Sequence, residues 1–257
     1  MSAQHDVTAM AHRGFSGGGD HALENSLSAF RAAVGFGYKW VETDVHATAD
    51  GVLLAFHDTT LDRTTNGHGV IAQLPWSTVR DARIAGTEPI PRLEELFEEL
   101  PDTCFNIDVK ATSAVQPLVD CIERCSAHER VRIASFSDAR RRAVLAGLSR
   151  PVRTSPGQGR MVALWLAAHV PLVASPLVAR LAHGIDAVQI PERQGRLRLL
   201  TPALLRAAHG AGLEVHVWTV NERADMERLL DLGVDGLITD RADVLKGVLL
   251  ERGLWRG

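Results

Sequence analysis

Two carboxylates and an imidazole lie close together in the stretch from Trp40 to Gly67, WVETDVHATADGVLLAFHDTTLDRTTNG. Glu42 and Asp44 are two positions apart, so on a β-strand their side chains point to the same face, about 6.6 Å apart along the strand. Two carboxylates at that spacing can bind one cation or raise each other's pKa. His57 can exchange protons near neutral pH. The stretch therefore predicts a cation site beside a general acid or base.

A β-hairpin is the element that would bring these groups together. We predict a strand from Trp40 to Val45, a tight turn at Asp50-Gly51 and an apolar return strand from Val52 to Phe56. The return strand ends at His57, so the hairpin delivers the imidazole back toward the two carboxylates.

Polar residues also stand at the ends of other predicted strands. The apolar run from Val7 to Ala11 ends at His12 and Arg13. The strand predicted from Cys104 to Val109 places Asp108 on the same face as Lys110. A polar face on a strand inside an α/β protein has to look into a site, because an unpaired buried polar group is costly.

Strands and helices alternate along the rest of the chain. Apolar strand runs lie near eight positions: Val7, Trp40, Cys104, Val131, Val152, Ala187, Val215 and Gly236. Eight strand–helix units in 257 residues predict a TIM (β/α)8 barrel, forming a single domain over residues 1–257, with a small hairpin and loop insertion after the second strand. The alternative is an open doubly wound sheet, but the Gly-rich dinucleotide fingerprint typical of that fold is absent.

Several helix boundaries can be assigned from local signals. Asn25 or Ser26 is expected to cap a helix that Gly35 and Gly37 end. A short helix is also expected from Leu74 to Ala85.

One apolar segment has the length of a membrane span. Residues 161–181, MVALWLAAHVPLVASPLVARL, contain no acidic residue. Pro171 and Pro176 would break a single span, so two buried barrel helices, or a helix and a turn, are the better interpretation. We therefore expect no stable membrane span.

The amino-acid composition limits which binding partners and which cellular compartment the protein can have. The chain is 46% hydrophobic with a net charge of −3, which excludes a disordered chain and gives no electrostatic case for nucleic acid. Cys104, Cys121 and Cys125 form no disulfide framework, which indicates reduced thiols. The first ten residues, MSAQHDVTAM, show no signal peptide. We therefore expect a cytoplasmic protein.

In a TIM barrel the site lies at the carboxyl ends of the strands. Carboxylate ligands suit a hard ion, Mg²⁺ or Ca²⁺, rather than zinc. Arginine and lysine beside such an ion suit a phosphate, and two histidines can divide acid and base roles. Taken singly, each residue has a structural explanation, such as core packing for the tryptophan. The strand-end set is His12, Arg13, Glu42, Asp44, His57, Asp108, Lys110 and Trp218.

Eight short motifs in this order resemble the glycerophosphodiester phosphodiesterase family. They are HRG at His12–Gly14, ENS at Glu24–Ser26, ETDV at Glu42–Val45, DG at Asp50-Gly51, HDTTLDRTTNG at His57–Gly67, NIDVK at Asn106–Lys110, VWTVN at Val217–Asn221 and GVDGLITDR at Gly233–Arg241. The resemblance implies a TIM barrel that uses a divalent cation to hydrolyse a small glycerophosphodiester to sn-glycerol 3-phosphate and an alcohol.

The resemblance also implies roles for the strand-end residues. Those roles are an acid–base pair of His12 and His57, phosphate contacts from Arg13 and Lys110, and metal ligation by Glu42, Asp44 and Asp108. We also expect Arg13 to be catalytic, and Arg13, Lys110 and Trp218 to bind the substrate. Asp108 stands where the family commonly has the longer glutamate. The segment between His57 and Leu93 is short, which leaves the site more open than in relatives with a larger insertion.

Two other functions fit the same residues. One is a lysophospholipid-directed phosphodiesterase or lyase resembling sphingomyelinase D, favoured by the apolar segment 161–181. The other is a non-catalytic barrel that binds phosphoesters. The sequence does not set the alcohol group or the oligomeric state.

Overall fold

A computed structural model describes residues 7–17, 21–170 and 173–256 of the chain. Its strands are β1 (Thr8–His12), β2 (Trp40–Ala47), β3 (Leu53–Ala55), β4 (Arg83–Ile84), β5 (Glu88–Pro89), β6 (Cys104–Val109), β7 (Val131–Ala134), β8 (Arg153–Thr154), β9 (Ala187–Pro191), β10 (Arg193–Gln194), β11 (Leu197–Arg198), β12 (Glu214–Trp218) and β13 (Gly236–Thr239).

Helices follow most of the strands. They are α1 (Leu27–Gly35), α2 (Trp76–Val79), α3 (Leu93–Glu99), α4 (Val115–Arg124), α5 (Asp138–Gly147), α6 (Gln158–Ala168), α7 (Ala174–Leu181), α8 (Pro202–Gly210), α9 (Arg223–Leu232) and α10 (Ala242–Glu251).

Eight parallel strands form a nearly closed barrel, in the order β8-β7-β6-β2-β1-β13-β12-β9. At the seam between β8 and β9, the Asp186 amide donates to the Thr154 carbonyl at 3.2 Å, and the Asp186 carboxylate accepts from the Thr154 amide. The predicted TIM barrel is confirmed. Because all eight strands run the same way, their carboxyl ends meet at one rim.

Side chains along each strand point alternately toward the surrounding helices and into the barrel interior. In β2, Val41 and Val45 belong to the main hydrophobic core, whereas Glu42 and Asp44 are buried polar residues on the opposite face of the strand. Ser26 caps α1, as expected, by accepting a hydrogen bond from the Ala29 amide at 3.2 Å.

The predicted hairpin is present: β2 and β3 pair antiparallel, with Val45 opposite Ala55. The following insertion has its own small core of buried apolar residues. That core comprises Leu54, Phe56, Leu61, Ile71, Val79, Ala82, Ile84 and Ile90.

The helix predicted from Leu74 to Ala85 is wrong over most of its length, since only Trp76–Val79 is helical. The residues after it form β4, which pairs antiparallel with β5. Ala85 adopts φ 51° at the turn between these strands, a left-handed conformation that ends any helix. Tertiary strand pairing overrides the local helical preference here.

The apolar segment 161–181 forms α6 and α7, so the expectation of two helices holds. They are not wholly buried, however, because Val162 and Leu166 on α6 are about half exposed, at 54% and 58%. Pro171 lies outside the described residues, as do residues 1–6 and 18–20. Among the helices that the structure describes, none is long and apolar enough to cross a membrane.

Candidate active site

The strand-end residues predicted from the sequence meet at the carboxyl rim of the barrel. Strand register explains this: His12 on β1 lies opposite Glu42 on β2, and Asp44 on β2 lies opposite Asp108 on β6. Because these strands are parallel neighbours, the side chains of His12 and Glu42 lie side by side in one layer, and those of Asp44 and Asp108 lie side by side in the next.

His12 is held by a carboxylate from the far end of the chain. Its Nδ1 lies 2.6 Å from Asp240 Oδ1, and its Nε2 lies 3.7 Å from Glu42 Oε2. The Asn221 side-chain amide donates to the other Asp240 oxygen at 2.7 Å. Burial opposes protonation of His12, but the Glu42 and Asp240 carboxylates outweigh it and raise the pKa of this imidazole.

His57 is held by its neighbour in sequence. Its Nδ1 lies 2.6 Å from Asp58 Oδ1, and Arg63 donates through Nε to Asp58 Oδ2 at 2.6 Å. The hydrogen bond from Arg63 lowers the pKa of Asp58 to about 2, so this carboxylate stays ionised. The backbone carbonyl of His57 lies 3.1 Å from His46 Nε2.

Arg13 is placed by two consecutive left-handed residues. Arg13 has φ 55° and Gly14 φ 85°. A Cβ at position 14 would approach the carbonyl carbon of Ala29 to 2.7 Å, so only glycine fits there. The turn brings Arg13 Nε to 3.0 Å from Asp44 Oδ2, and Arg13 Nη1 donates to Glu24 Oε1 at 3.1 Å.

Glu24 connects the arginine of β1 to the insertion. Besides Arg13, it accepts hydrogen bonds from Arg63, whose Nη1 lies 3.2 Å from Glu24 Oε2. Because Arg63 also holds Asp58, one chain of charge pairs runs from the His57 side of the site to the Arg13 side. Asn25 next to it donates to Asp44 Oδ2 at 3.3 Å.

Lys110 lies between two buried carboxylates. Its Nζ is 2.9 Å from Asp44 Oδ1 and 2.7 Å from Asp108 Oδ2. Burial disfavours the charge on Asp44, but Lys110 and Arg13 overcome this and lower its pKa. Burial raises the pKa of Asp108, since its single close cation offsets only part of that cost.

The donor set fits a hard divalent cation. In the described part of the chain, no three His, Cys, Asp or Glu side chains already converge in the arrangement of a metal centre. Asp108 Oδ1, however, is buried with no hydrogen-bond partner among the described residues. Burial and then the Asp44 carboxylate raise the pKa of Glu42. A cation beside Glu42 and Asp108 would stabilise both ionised groups, and all the available donors are oxygens.

An aromatic pair forms another part of the rim. Phe136, after β7, packs edge-on against Trp218 with ring centroids 5.9 Å apart. Lys110 Nζ lies 5.8 Å from the centre of the Phe136 ring. Trp218 also lines a cleft of about 450 Å³ that reaches the start of the loop after β9.

Several residues of the site were not singled out by sequence reasoning. Asp58 and Asp240 were quoted only within motifs, and Phe136 was not considered. Asp58 could have been found from the sequence because it directly follows His57. Asp240 ends its strand in the same way as the predicted residues, so the strand-end criterion would also have found it.

Comparison with known proteins shows the family to which this chain belongs. Residues 12–244 match the model of the glycerophosphoryl diester phosphodiesterase family. A protein from Mycobacterium tuberculosis named "probable glycerophosphodiester phosphodiesterase 2" is 47% identical over 249 residues, covering 97% of this chain and 93% of the relative. A glycerophosphodiester phosphodiesterase from Caldanaerobacter subterraneus is 32% identical, covering 95% of this chain and 98% of the relative.

Solved structures share the fold. An Oleispira antarctica phosphodiesterase, solved in complex with the product sn-glycerol-3-phosphate, superposes with a TM-score of 0.76 at 21% identity. The match covers 95% of this chain and 97% of that structure.

Proposed function

Because this chain belongs to the glycerophosphoryl diester phosphodiesterase family and is an enzyme of that kind, we propose that it hydrolyses a glycerophosphodiester to sn-glycerol 3-phosphate and an alcohol with two histidines and a divalent cation. One observation supports the two-histidine mechanism above all. Each imidazole has its Nδ1 2.6 Å from its own carboxylate, at the same rim as the carboxylates and fixed cations.

Arg13 and Lys110 are the groups suited to the phosphate. Both remain charged in this setting, since the surrounding carboxylates raise their pKa values against the effect of burial. Arginine contributes a planar fork for two phosphate oxygens, and lysine contributes a point charge. Both side chains are partly accessible, at 15% and 20%, so a substrate can reach them.

The two histidines can move the protons that the reaction needs. When Nδ1 donates its hydrogen to Asp58 or Asp240, the Nε2 of a neutral imidazole is left as the proton acceptor. One histidine takes a proton from the nucleophile as its oxygen bonds to phosphorus. The nucleophile is water, or it is the neighbouring glycerol hydroxyl, in which case water must then open the cyclic phosphate to give glycerol 3-phosphate. The other histidine, protonated, gives its proton to the alcohol oxygen as the phosphorus–oxygen bond breaks.

Glu42, Asp44 and Asp108 are the residues that would hold the divalent cation, Mg²⁺ or Ca²⁺. When bound, such an ion supplies Lewis-acid polarisation of the phosphoryl oxygens. Lys110 shares Asp44 and Asp108 with that position, so this lysine links the metal ligands to the phosphate contact.

The test is release of glycerol 3-phosphate from glycerophosphocholine and glycerophosphoethanolamine, with and without a chelator, in Mg²⁺, Ca²⁺ and Mn²⁺. We expect chelation to abolish at least 90% of the activity and one of the ions to restore it, an order-of-magnitude loss that corresponds to about 1.4 kcal/mol or more of barrier. Full activity after exhaustive chelation would contradict the metal assignment while leaving the family assignment intact.

A panel that includes lysophospholipids tests the alternative substrate class. Faster release of the head alcohol from a lysophospholipid than from a glycerophosphodiester would favour that alternative, which stays a prediction. The three cysteines are free thiols, which supports our proposal of a reducing compartment such as the cytoplasm.

A further inference from the structure

A short hairpin projects from the catalytic rim beside Trp218. It consists of β10 and β11, which pair antiparallel, and all of residues 193–198 are exposed. The hairpin follows the carboxyl end of β9, where Pro191 lies opposite Trp218 in the sheet register. Pro191, Arg193 and Trp218 also line the same cleft. The hairpin therefore stands on the face that opens to substrate, not on the outer ring of helices.

Positive charge is concentrated on this hairpin although the chain as a whole has a net charge of −3. Residues 193–198 include three arginines and no acidic residue. Arg198 is paired with Glu192 at 3.2 Å. Arg193 and Arg196 are both exposed and make no ion pair within the described part of the chain, although Glu192, Glu222 and Asp225 line the cleft beside Arg193.

An apolar side chain lies beside these charges. Leu197 is 52% exposed and is adjacent to Arg196 at the tip of the hairpin. Phe136, on the same rim of the barrel, is 55% exposed. Exposed leucine next to unpaired arginine is the composition of segments that lie in a membrane interface, where the cation meets headgroup phosphate and the apolar side chain enters the acyl boundary.

We propose that the hairpin of residues 193–198 docks the catalytic face onto an anionic phospholipid surface. Charge complementarity favours this partner, and the exposed leucine favours a lipid surface over RNA, which offers no apolar layer. Docking is independent of the proposed metal and histidine chemistry, because none of residues 193–198 belongs to the catalytic set.

The test is flotation of the full chain with vesicles of phosphatidylcholine alone and with vesicles containing 30% phosphatidylglycerol. We expect binding to the anionic vesicles only, weakened by added salt. Each arginine near an anionic surface contributes about fivefold in partitioning, so R193Q/R196Q should bind about 30-fold more weakly. The matched control R142Q/R206Q removes the same charge from two exposed helix positions and should bind as the parent does.

The substitution Leu197→Ser measures how much the apolar side chain contributes to vesicle binding, separately from the arginine charges. We expect a loss of up to about tenfold that persists at high salt, where the arginine contribution is screened. The circular dichroism spectrum should be unchanged in all these variants, which would show that the chain is folded.

Three results would overturn the proposal. They are no binding to anionic vesicles, equal weakening in R142Q/R206Q and R193Q/R196Q, and arginine-dependent binding to a polyuridine oligonucleotide without binding to vesicles.

Discussion

The surroundings of His12 and His57 differ although their Nδ1 contacts are the same. The His12 side chain is 16% exposed, and its partner Asp240 follows the last strand of the barrel. The His57 side chain is 33% exposed, and its partner is the next residue, at the start of the insertion. One pair is thus built into the barrel wall, and the other stands where the barrel meets a loop.

The two histidine–carboxylate pairs therefore depend on different parts of the structure. Asp240 is held by Asn221, which lies after the neighbouring strand β12. Asp58 is held by Arg63 of the insertion, whose side chain is 46% exposed. A change in the insertion can therefore reach His57 through Arg63, whereas His12 depends on the closure of the barrel itself.

Removing either imidazole is the largest expected effect. His12→Ala and His57→Ala should each lower kcat by about 10²- to 10⁴-fold, because each loses one proton-transfer step. Steady-state release of glycerol 3-phosphate measures this. His68→Ala is the matched control, since His68 lies 3.0 Å from Asp62 in an exposed pair of the same insertion and should be neutral. A loss confined to one of the two variants would contradict the shared proton transfer.

Removing the negative charge behind each imidazole should give a smaller and unequal effect. Asp240→Asn is expected to lower kcat about 100-fold and Asp58→Asn about tenfold, within the range for partners that orient a catalytic imidazole. The buried pair should lose more, because solvent replaces less of the missing hydrogen bond. The pH–rate profiles should also shift, which a purely structural role would not produce.

Asp62→Asn provides the control for these substitutions, since it breaks an exposed carboxylate–imidazole pair outside the site. Equal losses in Asp240→Asn and Asp58→Asn would mean that burial does not distinguish the two pairs.

The remaining expected effect concerns stability and not rate, and it involves the carboxylate beside His12, Glu42. Burial and then the Asp44 carboxylate raise the pKa of Glu42 to about 7. Its stabilising contribution is present below pH 4.5, the ordinary value, and is lost as pH rises through about 7. The pKa of His12 is raised as well, so it acts in the same direction. In chelator, Glu42 and His12 thus make the chain less stable at pH 8 than at pH 5, whereas His46 and His216, whose pKa values burial lowers, contribute in the opposite direction.

Urea unfolding across this pH range measures the effect. Glu42→Gln should flatten the decline by an amount on the order of 2 kcal/mol. Added Mg²⁺ or Ca²⁺ should restore stability at pH 8 in the parent and less so in the variant. An unchanged slope in Glu42→Gln would show that Glu42 is not the group that titrates.

The sequence was sufficient for the fold because the strands and helices are strongly patterned. The predicted strand Cys104–Val109 agrees with the structure in both boundaries, and the strand predicted from Trp40 begins at that residue. The segment Leu74–Ala85 was not predictable in the same way, since its structure depends on pairing between β4 and β5 within the insertion.

For the site, the sequence gives residues at strand ends but not their partners. The placement of His12, Glu42, Asp44, Asp108 and Lys110 follows from strand direction and side-chain alternation. The bond from His12 to Asp240 does not, because it depends on β1 and β13 pairing at the closure of the barrel. Lys110 was expected at phosphate, yet its position between two carboxylates appears only in three dimensions.

The pairing of β1 with β13 also has a consequence for the synthesis of the protein. His12 and Asp240 are 228 positions apart, so the ribosome must add 228 residues after His12 before the carboxylate exists. During translation the imidazole of His12 has no Asp240 to bind, and a nascent chain released before β13 lacks this half of the site. Asp240 can therefore bind His12 only after β13 has left the ribosome and paired with β1.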